Sequence, residues 1–332
     1  MTVRIGLVAA SRIADPAVVV PARELDGVEV VAVAARSMDA ARAAGDRWGI
    51  GLAFGDYAEM IASDEVDAVY IGTPAAMHRE WSIRALDAGK HVLCEKPFAS
   101  NANDARRLAD AGNASGLVLM EALHWRFHPL VGQMQAVLDS GVLGDLVHLD
   151  AAFEVPAAAI PFDDIRWDLS IGGGVMMDIG IYPASWVRWA MADVVPAVTS
   201  AEATCPVPDV DGVMTAELLW PSGVTGSIRG SMMLDGPVST SFLTVRGTKG
   251  SMHVDNPIAP QFGSSLAVVT AAGRSEQEVS TVTTYLCQLR AFRDAIVDGT
   301  PFPATADDAV ATMELIDACY VASGLPPRPS RP

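Results

Sequence analysis

The chain has 332 residues, half of them apolar and 19% charged, a composition that suits a globular protein too long for one ordinary core and predicts two domains. A formal net charge of −17, with no cluster of Lys and Arg to override it, argues against nucleic acid or an anionic membrane surface as a partner. Cys94, Cys205, Cys287 and Cys319 are scattered without a C-x-x-C pair, which disfavours a zinc site or a disulfide framework and suits reduced core cysteines. The N-terminus enters a strand without a signal-peptide pattern, and no apolar run is long enough for a bilayer, so a cytoplasmic location is expected.

The first third alternates short apolar strands with amphipathic helices. Residues 3–9 read as a strand, followed by a turn at Ala10 and Ser11. A second strand covers 28–35, and an alanine-rich helix over 38–48 stops at Gly49. Strands at 68–72 and 91–95 flank a helix at 78–88 that stops at Gly89, and a further short strand covers 118–121. Strands alternating with helices predict a doubly wound parallel sheet. Burial of both sheet faces explains why the run from Val30 to Ala34 lacks polar alternation.

After about residue 125 the pattern changes. Strands are predicted at 146–155, 213–220, 224–234, 240–246 and 251–254, most of them joined by tight turns, which predicts a largely antiparallel sheet. Helices at 284–298 and 306–323 end at Gly299 and Gly324, and 326–332 reads as a loose tail. The fold class is therefore α/β. A Rossmann-type domain over 1–125 precedes an α+β domain over 126–325 with a large, mainly antiparallel open sheet. No internal repeat is present.

A dinucleotide fold places a tight turn after its first strand and aims a helix N-terminus at the pyrophosphate. Here the candidate phosphate loop is Ala10, Ser11, Arg12 and Ile13. The spacing of G-x-G-x-x-G/A falls on Ala9, Ser11 and Ala14, and only Ala14 fits the pattern. Small residues still allow close backbone approach, and Ser11 offers a hydroxyl to phosphate; the alternative is an ordinary strand-to-helix turn. NAD enzymes commonly carry an acidic residue at the end of the second strand, where this chain has Arg36 and Ser37. A guanidinium fork with a neighbouring hydroxyl suits a 2′-phosphate and favours NADP, with NAD possible; the alternative is a solvated turn arginine.

Lys96, in Glu95-Lys96-Pro97, ends the apolar run of the strand at 91–95, where open α/β sheets bind ligands. Pro97 is a candidate cis bond. A second segment carries Gly172-Gly173-Gly174, Asp178 and Tyr182. Asp178 and Tyr182 share a face if their backbone is helical, although Pro183 must then kink the helix or begin a second piece. Oxidising an alcohol needs a base for the hydroxyl proton while hydride leaves for nicotinamide. A tyrosine of pKa about 10 is a poor base near neutrality, and a nearby lysine charge favours its phenolate. Tyr182 is thus the candidate proton-transfer group and Lys96 its electrostatic partner; the reverse assignment is also open.

The chain resembles the glucose–fructose oxidoreductase, inositol dehydrogenase and rhizopine-catabolism (Gfo/Idh/MocA) family. The matching segments are Tyr70-Ile-Gly-Thr-Pro74 with His78, Gly89-Lys-His-Val-Leu-Cys-Glu-Lys-Pro97, Glu121-Ala-Leu-His-Trp-Arg-Phe-His-Pro129, Ile165-Arg-Trp-Asp168 and Gly172 through Tyr182-Pro183. Segments around Gln288-Leu-Arg-Ala-Phe292 and Asp307-Asp308 match as well. Tyr182 stands where many inositol-type members carry histidine, so the likeness is strongest to the NADP-dependent branch of D-xylose and dihydrodiol dehydrogenases. Two departures are the replaced first-turn glycines and Ala75, where an asparagine is frequent.

The resemblance implies that Lys96 and Tyr182 are catalytic, that Asp178 helps hold a sugar or polyol substrate, and that Thr73, Pro74, His78, Glu95, Lys96 and Arg126 lie at the cofactor. It implies a nicotinamide oxidoreductase acting on a CH–OH group. No metal site is expected, since His124 and His128 lack a clear third ligand. A homodimer or homotetramer through the open face of the second sheet is expected, because such a face must be covered or polar. The rival readings are a nicotinamide-binding sensor without turnover and a glycosidase that uses transient oxidation.

Overall fold

The computed structural model describes residues 1–331. The chain divides into two compact units. The first comprises Met1–Ala99, Asn103–Phe127 and Thr284–Val310, and the second the remaining residues. The stretch from 284 to 310, expected with the antiparallel domain, thus belongs to the first unit.

In chain order, β1 (Val3–Val8) leads through a π-helical turn (Asp15–Val19) into α1 (Val20–Glu24), followed by β2 (Val28–Ala34) and α2 (Met38–Trp48). Next come β3 (Leu52–Phe54), α3 (Tyr57–Ile61), β4 (Ala68–Ile71), α4 (His78–Asp87), β5 (His91–Glu95), α5 (Ala102–Ser115) and β6 (Leu119–Ala122). All six strands are parallel, in the order β3-β2-β1-β4-β5-β6. The winding direction reverses between β1 and β4, the crevice where sheets of this kind bind ligands at their carboxyl edge. Helix α2 shows why the local sequence folds as it does. Ser37 caps it by accepting from the Ala40 N–H at 3.3 Å, Gly49 ends it in the left-handed region at φ 71°, and Ala41, Ala44, Gly45 and Trp48 form its buried stripe.

The second unit begins with α6 (Pro129–Asp139) and β7 (Leu146–Pro156). A π-helical turn (Met176–Gly180) runs into α7 (Ile181–Ala190), and β8 (Ala197–Thr204), β9 (Val213–Leu219), β10 (Thr225–Leu234), β11 (Thr240–Gly247), β12 (Gly250–Asp255), β13 (Ser265–Thr270) and β14 (Gly273–Gln277) follow. Helix α8 (Thr284–Asp298) returns to the first unit, where Leu289, Phe292 and Ala295 join the core around Val18, Val19 and Leu25. Helix α9 (Ala306–Ala322) closes the chain. The eight strands form one sheet in the order β14-β13-β12-β11-β7-β10-β9-β8, antiparallel except for the β7/β10 pair. Every residue of α7 is buried, as befits a helix laid on that sheet.

Most predicted elements stand within a residue or two. Strands β3, β8, β13 and β14 and helices α3, α5 and α6 go beyond the pattern. β14 is exposed along its whole length, so only its pairing with β13 makes it a strand. The expected loose tail is corrected: Arg328 is buried, and its carbonyl accepts from Asn101 Nδ2 at 2.8 Å.

Ala9, just past β1, has φ 82°, a left-handed conformation that costs a residue with a Cβ roughly 1–2 kcal/mol. Glycine there relieves that cost. Thermal unfolding of Ala9→Gly is expected to rise by about 2–4 °C, the shift that about 1 kcal/mol gives in a chain above 150 residues. An unchanged or lower midpoint contradicts the assignment of strain to this position.

Candidate active site

The carboxyl edge of the parallel sheet collects most of the residues expected at a cofactor. Beyond β1, Ala10 and Ile13 pack against the core, Arg12 is exposed, and the Ser11 hydroxyl is buried without a protein partner. Beyond β4, Thr73 is buried and its hydroxyl is likewise without a partner. Gly72 separates the two loops, since a Cβ there would stand 2.7 Å from Ser11 Oγ. Two orphaned hydroxyls flanking the switch-point crevice are the donor set a phosphate group needs, because buried polar groups rarely lack a partner. The turn that starts at Asp15 offers little to an anion, since Pro16 has no N–H and the Ala17 N–H donates to the Ile13 carbonyl at 3.0 Å. At the end of β2, Arg36 is exposed beside Ser37, the α2 cap, and its charge reaches Tyr57. These residues fit a phosphorylated dinucleotide.

At the end of β5 the side chains form a dense polar cluster. Glu95 is buried; its carboxylate accepts from Tyr70 Oη at 2.7 Å and from the Lys96 N–H at 3.1 Å. The Lys96–Pro97 bond is cis, and Lys96 is half-buried. Glu121, on β6, accepts from the Phe98 N–H at 3.0 Å. His78 is buried between two backbone carbonyls, Pro97 at 2.8 Å from Nδ1 and Thr73 at 2.7 Å from Nε2. It therefore straps the loop after β4 to the loop after β5, although a neutral ring donates to only one carbonyl. Burial lowers its pKa, the two carbonyls raise it, and the Lys96 charge lowers it further. His124 is also buried, with Nδ1 2.8 Å from Thr284 Oγ1. Burial, and after it the Lys96 charge, push its pKa down to about 3. Both rings thus lie within the field of Lys96, and burial lowers the pKa of each. Arg126 lies over the Trp125 ring at 5.6 Å and reaches Asp308 at 3.9 Å, so its charge is met by protein groups.

Asp178 and Tyr182 belong to the second unit. Asp178 sits in the π-helical turn and Tyr182 in the first turn of α7. An α-helix would direct the residue 183 N–H to Ile179, and proline has none; the π-helical turn just before it absorbs the irregularity. Of the two outcomes expected for Pro183, the structure is nearer the second piece: α7 starts at Ile181, with Pro183 in its first turn. The Asp178 carboxylate accepts from Arg166 Nε at 2.5 Å, and Arg166 Nη1 donates to Asp164 at 3.0 Å. The two carboxylates raise the Arg166 pKa against its burial. Tyr182 is 4% exposed, in edge contact with Phe153 at 5.7 Å. Gly180 and Gly230 bring helix and sheet together, because a Cβ on Gly230 would lie 3.3 Å from the Gly180 Cα. Arg166 was visible in the sequence only as part of a shared segment; no spacing rule links it to an aspartate twelve positions on.

Comparison with known proteins agrees with this architecture. Residues 3–123 match the profile described as oxidoreductase family, NAD-binding Rossmann fold, and residues 131–253 match the GFO/IDH/MocA C-terminal domain. The chain is 33% identical over 309 residues to the D-xylose 1-dehydrogenase (NADP(+)) 2 of Haloferax volcanii, covering 91% of this chain and 92% of the relative. The chain belongs to the Gfo/Idh/MocA oxidoreductase family. Another member, the trans-1,2-dihydrobenzene-1,2-diol dehydrogenase of Sus scrofa, is 34% identical over 69% of this chain and 67% of its own. Among solved structures, a 3-ketoreductase from Actinomadura kijaniata in complex with NADP and TDP-benzene superposes with a TM-score of 0.87. It is 28% identical, with 96% of this chain and 97% of that chain covered.

The buried neutral His124 has a consequence for acid stability. Its pKa is about 3 when folded and about 6.5 when unfolded, so its contribution is complete above pH ~6.5 and falls as pH drops toward 3, while only the unfolded chain takes up the proton. Denaturant melts between pH 6.5 and 4 are expected to show a shallower loss of stability in His124→Gln, by close to one proton's worth of slope. An unchanged slope contradicts a neutral His124.

Proposed function

We propose that this chain is an NADP-dependent oxidoreductase that exchanges hydride with a hydroxyl-bearing carbon of a sugar or polyol, D-xylose-like aldoses being the first candidates. The observation that carries this reading is the placement of Lys96 at the carboxyl end of β5, in a sheet whose switch-point loops hold two orphaned hydroxyls. Arg36 and Ser37 at the end of β2 support a 2′-phosphate over a free ribose hydroxyl. The names of the Haloferax dehydrogenase and the bound NADP of the Actinomadura ketoreductase point the same way.

In this reading Ser11 and Thr73 hold the pyrophosphate, with Ala10, Arg12, Ile13 and Pro74 shaping the loops. Arg36 and Ser37 hold the 2′-phosphate. Bound nicotinamide supplies the hydride acceptor. Tyr182 takes the hydroxyl proton as the carbon–hydrogen bond breaks and returns it in the reverse direction. The Lys96 ammonium favours the phenolate and offers a donor to the substrate oxygen as charge develops there. Asp178, oriented by Arg166, accepts from a substrate hydroxyl. Glu95 and His78 position Lys96, and Arg126 acts near the cofactor. Two or four chains associate through the open face of the eight-stranded sheet.

The test is reduction of NADP+ and NAD+, followed by absorbance, across aldoses, inositols and diols. Wild type is expected to turn over with NADP+, and Lys96→Met and Tyr182→Phe are each expected to lose roughly 10²-fold or more, the usual contribution of a positioned proton-transfer group. Cofactor binding without turnover on any substrate contradicts the proposal and favours a sensor. Product release without net NADP+ reduction favours a glycosidase.

A further inference from the structure

The tail residue Arg328 is fully enclosed in the second unit, far along the chain from the glycines that precede Asp178. Its Nη2 pairs with the Asp211 carboxylate, its Nη1 donates to the Asp209 carbonyl at 3.0 Å, and its guanidinium lies 3.9 Å over the Tyr320 ring. Tyr320 Oη donates to Asp211 Oδ1 at 3.1 Å. The second carboxylate oxygen accepts from the Met176 N–H at 3.0 Å, and the Asp211 carbonyl accepts from the Val175 N–H at 2.8 Å. Asp211 thus holds two successive amides at the start of the turn that carries Asp178.

The strap leading into that turn is fixed from the same place. Gly173 and Gly174 donate to the Asp168 and Arg166 carbonyls at 2.9 Å, and the Asp178 N–H donates to the Gly174 carbonyl at 3.2 Å. Gly174 has φ 133°, and a Cβ on it would run into Asp211, Arg328 and Tyr320. The backbone therefore rests directly on the buried ion pair. A carboxylate buried without its cation is strongly disfavoured, so Asp211 can hold this geometry only while Arg328 is docked. Burial raises the Asp211 pKa, and Arg328, the Met176 N–H and Tyr320 oppose that rise.

We propose that Arg328 is a positioning residue for the reaction: acting through Asp211, it sets the backbone of residues 174–176 and so the placement of Asp178 and Tyr182. This rests on the reading of Asp178 and Tyr182 as the substrate-side groups of the active site. It makes Arg328 part of the catalytic scaffold.

The test compares wild type, Arg328→Met, Arg328→Lys and Tyr182→Phe by kinetics and by amide hydrogen exchange. Arg328→Met is expected to lose roughly 10- to 100-fold in kcat, the scale of a misplaced site, with KM for NADP+ unchanged. Exchange at Val175 and Met176 is expected to accelerate while that of β1 and β4 does not. Arg328→Lys, or guanidinium added to Arg328→Met, is expected to restore both readouts in part.

Unchanged exchange at Val175 and Met176 overturns the proposal whatever the activity. So does accelerated exchange with kcat intact, if Tyr182→Phe is inactive. Loss of exchange protection in both units, without rescue, reduces Arg328 to a folding role and also overturns it. Full activity in Tyr182→Phe overturns the site reading itself and the positioning role with it.

Discussion

A buried polar group is costly unless the protein or a ligand meets it, and the carboxyl end of β5 is arranged around that constraint. Glu95 is 6% exposed and is met by the Tyr70 hydroxyl and the Lys96 N–H. Glu121 receives the Phe98 N–H. Burial and the Lys96 charge both work against protonation of His78 and His124, and two carbonyls oppose that at His78. Lys96 thus ends the strand between a buried carboxylate and two rings whose protonation is disfavoured. A cation so placed acts on whatever anion develops near it more strongly than it would in water.

The second unit solves a different problem. Asp178 and Tyr182 have to project from a backbone pressed against a sheet, and close approach is gained by removing side chains. Gly180 meets Gly230 of β10 almost backbone to backbone, and Gly174 lies where any Cβ would collide with a buried ion pair. The proline of α7 falls in its first turn, just after a π-helical turn, where its missing N–H removes no bond within the helix. Arg166 then fixes the Asp178 carboxylate from outside the helix. Orientation of the candidate groups is therefore set by backbone contacts and two ion pairs, which is how a site keeps its geometry while its side chains stay polar.

Much of this was legible because periodicity and punctuation carry it. The strands at 28–35 and 91–95 announce themselves as unbroken apolar runs, and helix α2 is bracketed by a serine cap and a glycine stop. What stayed hidden depends on partners distant in sequence. β14 has no apolar residue and is a strand only by pairing with β13. Helix α8 shows an amphipathic pattern that cannot say which unit receives its face, and it packs on the Rossmann-type core. The proline-rich tail reads as loose because no local rule connects Arg328 to Asp211. Among the candidate groups, Lys96, Asp178 and Tyr182 were visible as residue types in telling places. Arg166 was not, because its partner is set by the fold of the strap between them. Ala9 shows the converse: the first glycine of the dinucleotide pattern is replaced, yet the backbone keeps the left-handed conformation that glycine normally serves.

The central claim is direct hydride transfer between substrate carbon and cofactor. It is tested most directly by offering the best substrate of the panel with deuterium on the carbon that bears the reacting hydroxyl, and weighing the reduced cofactor by mass spectrometry. The account predicts that the nicotinamide gains one deuterium for each substrate molecule oxidised. Substrate conversion that leaves the cofactor unlabelled contradicts it.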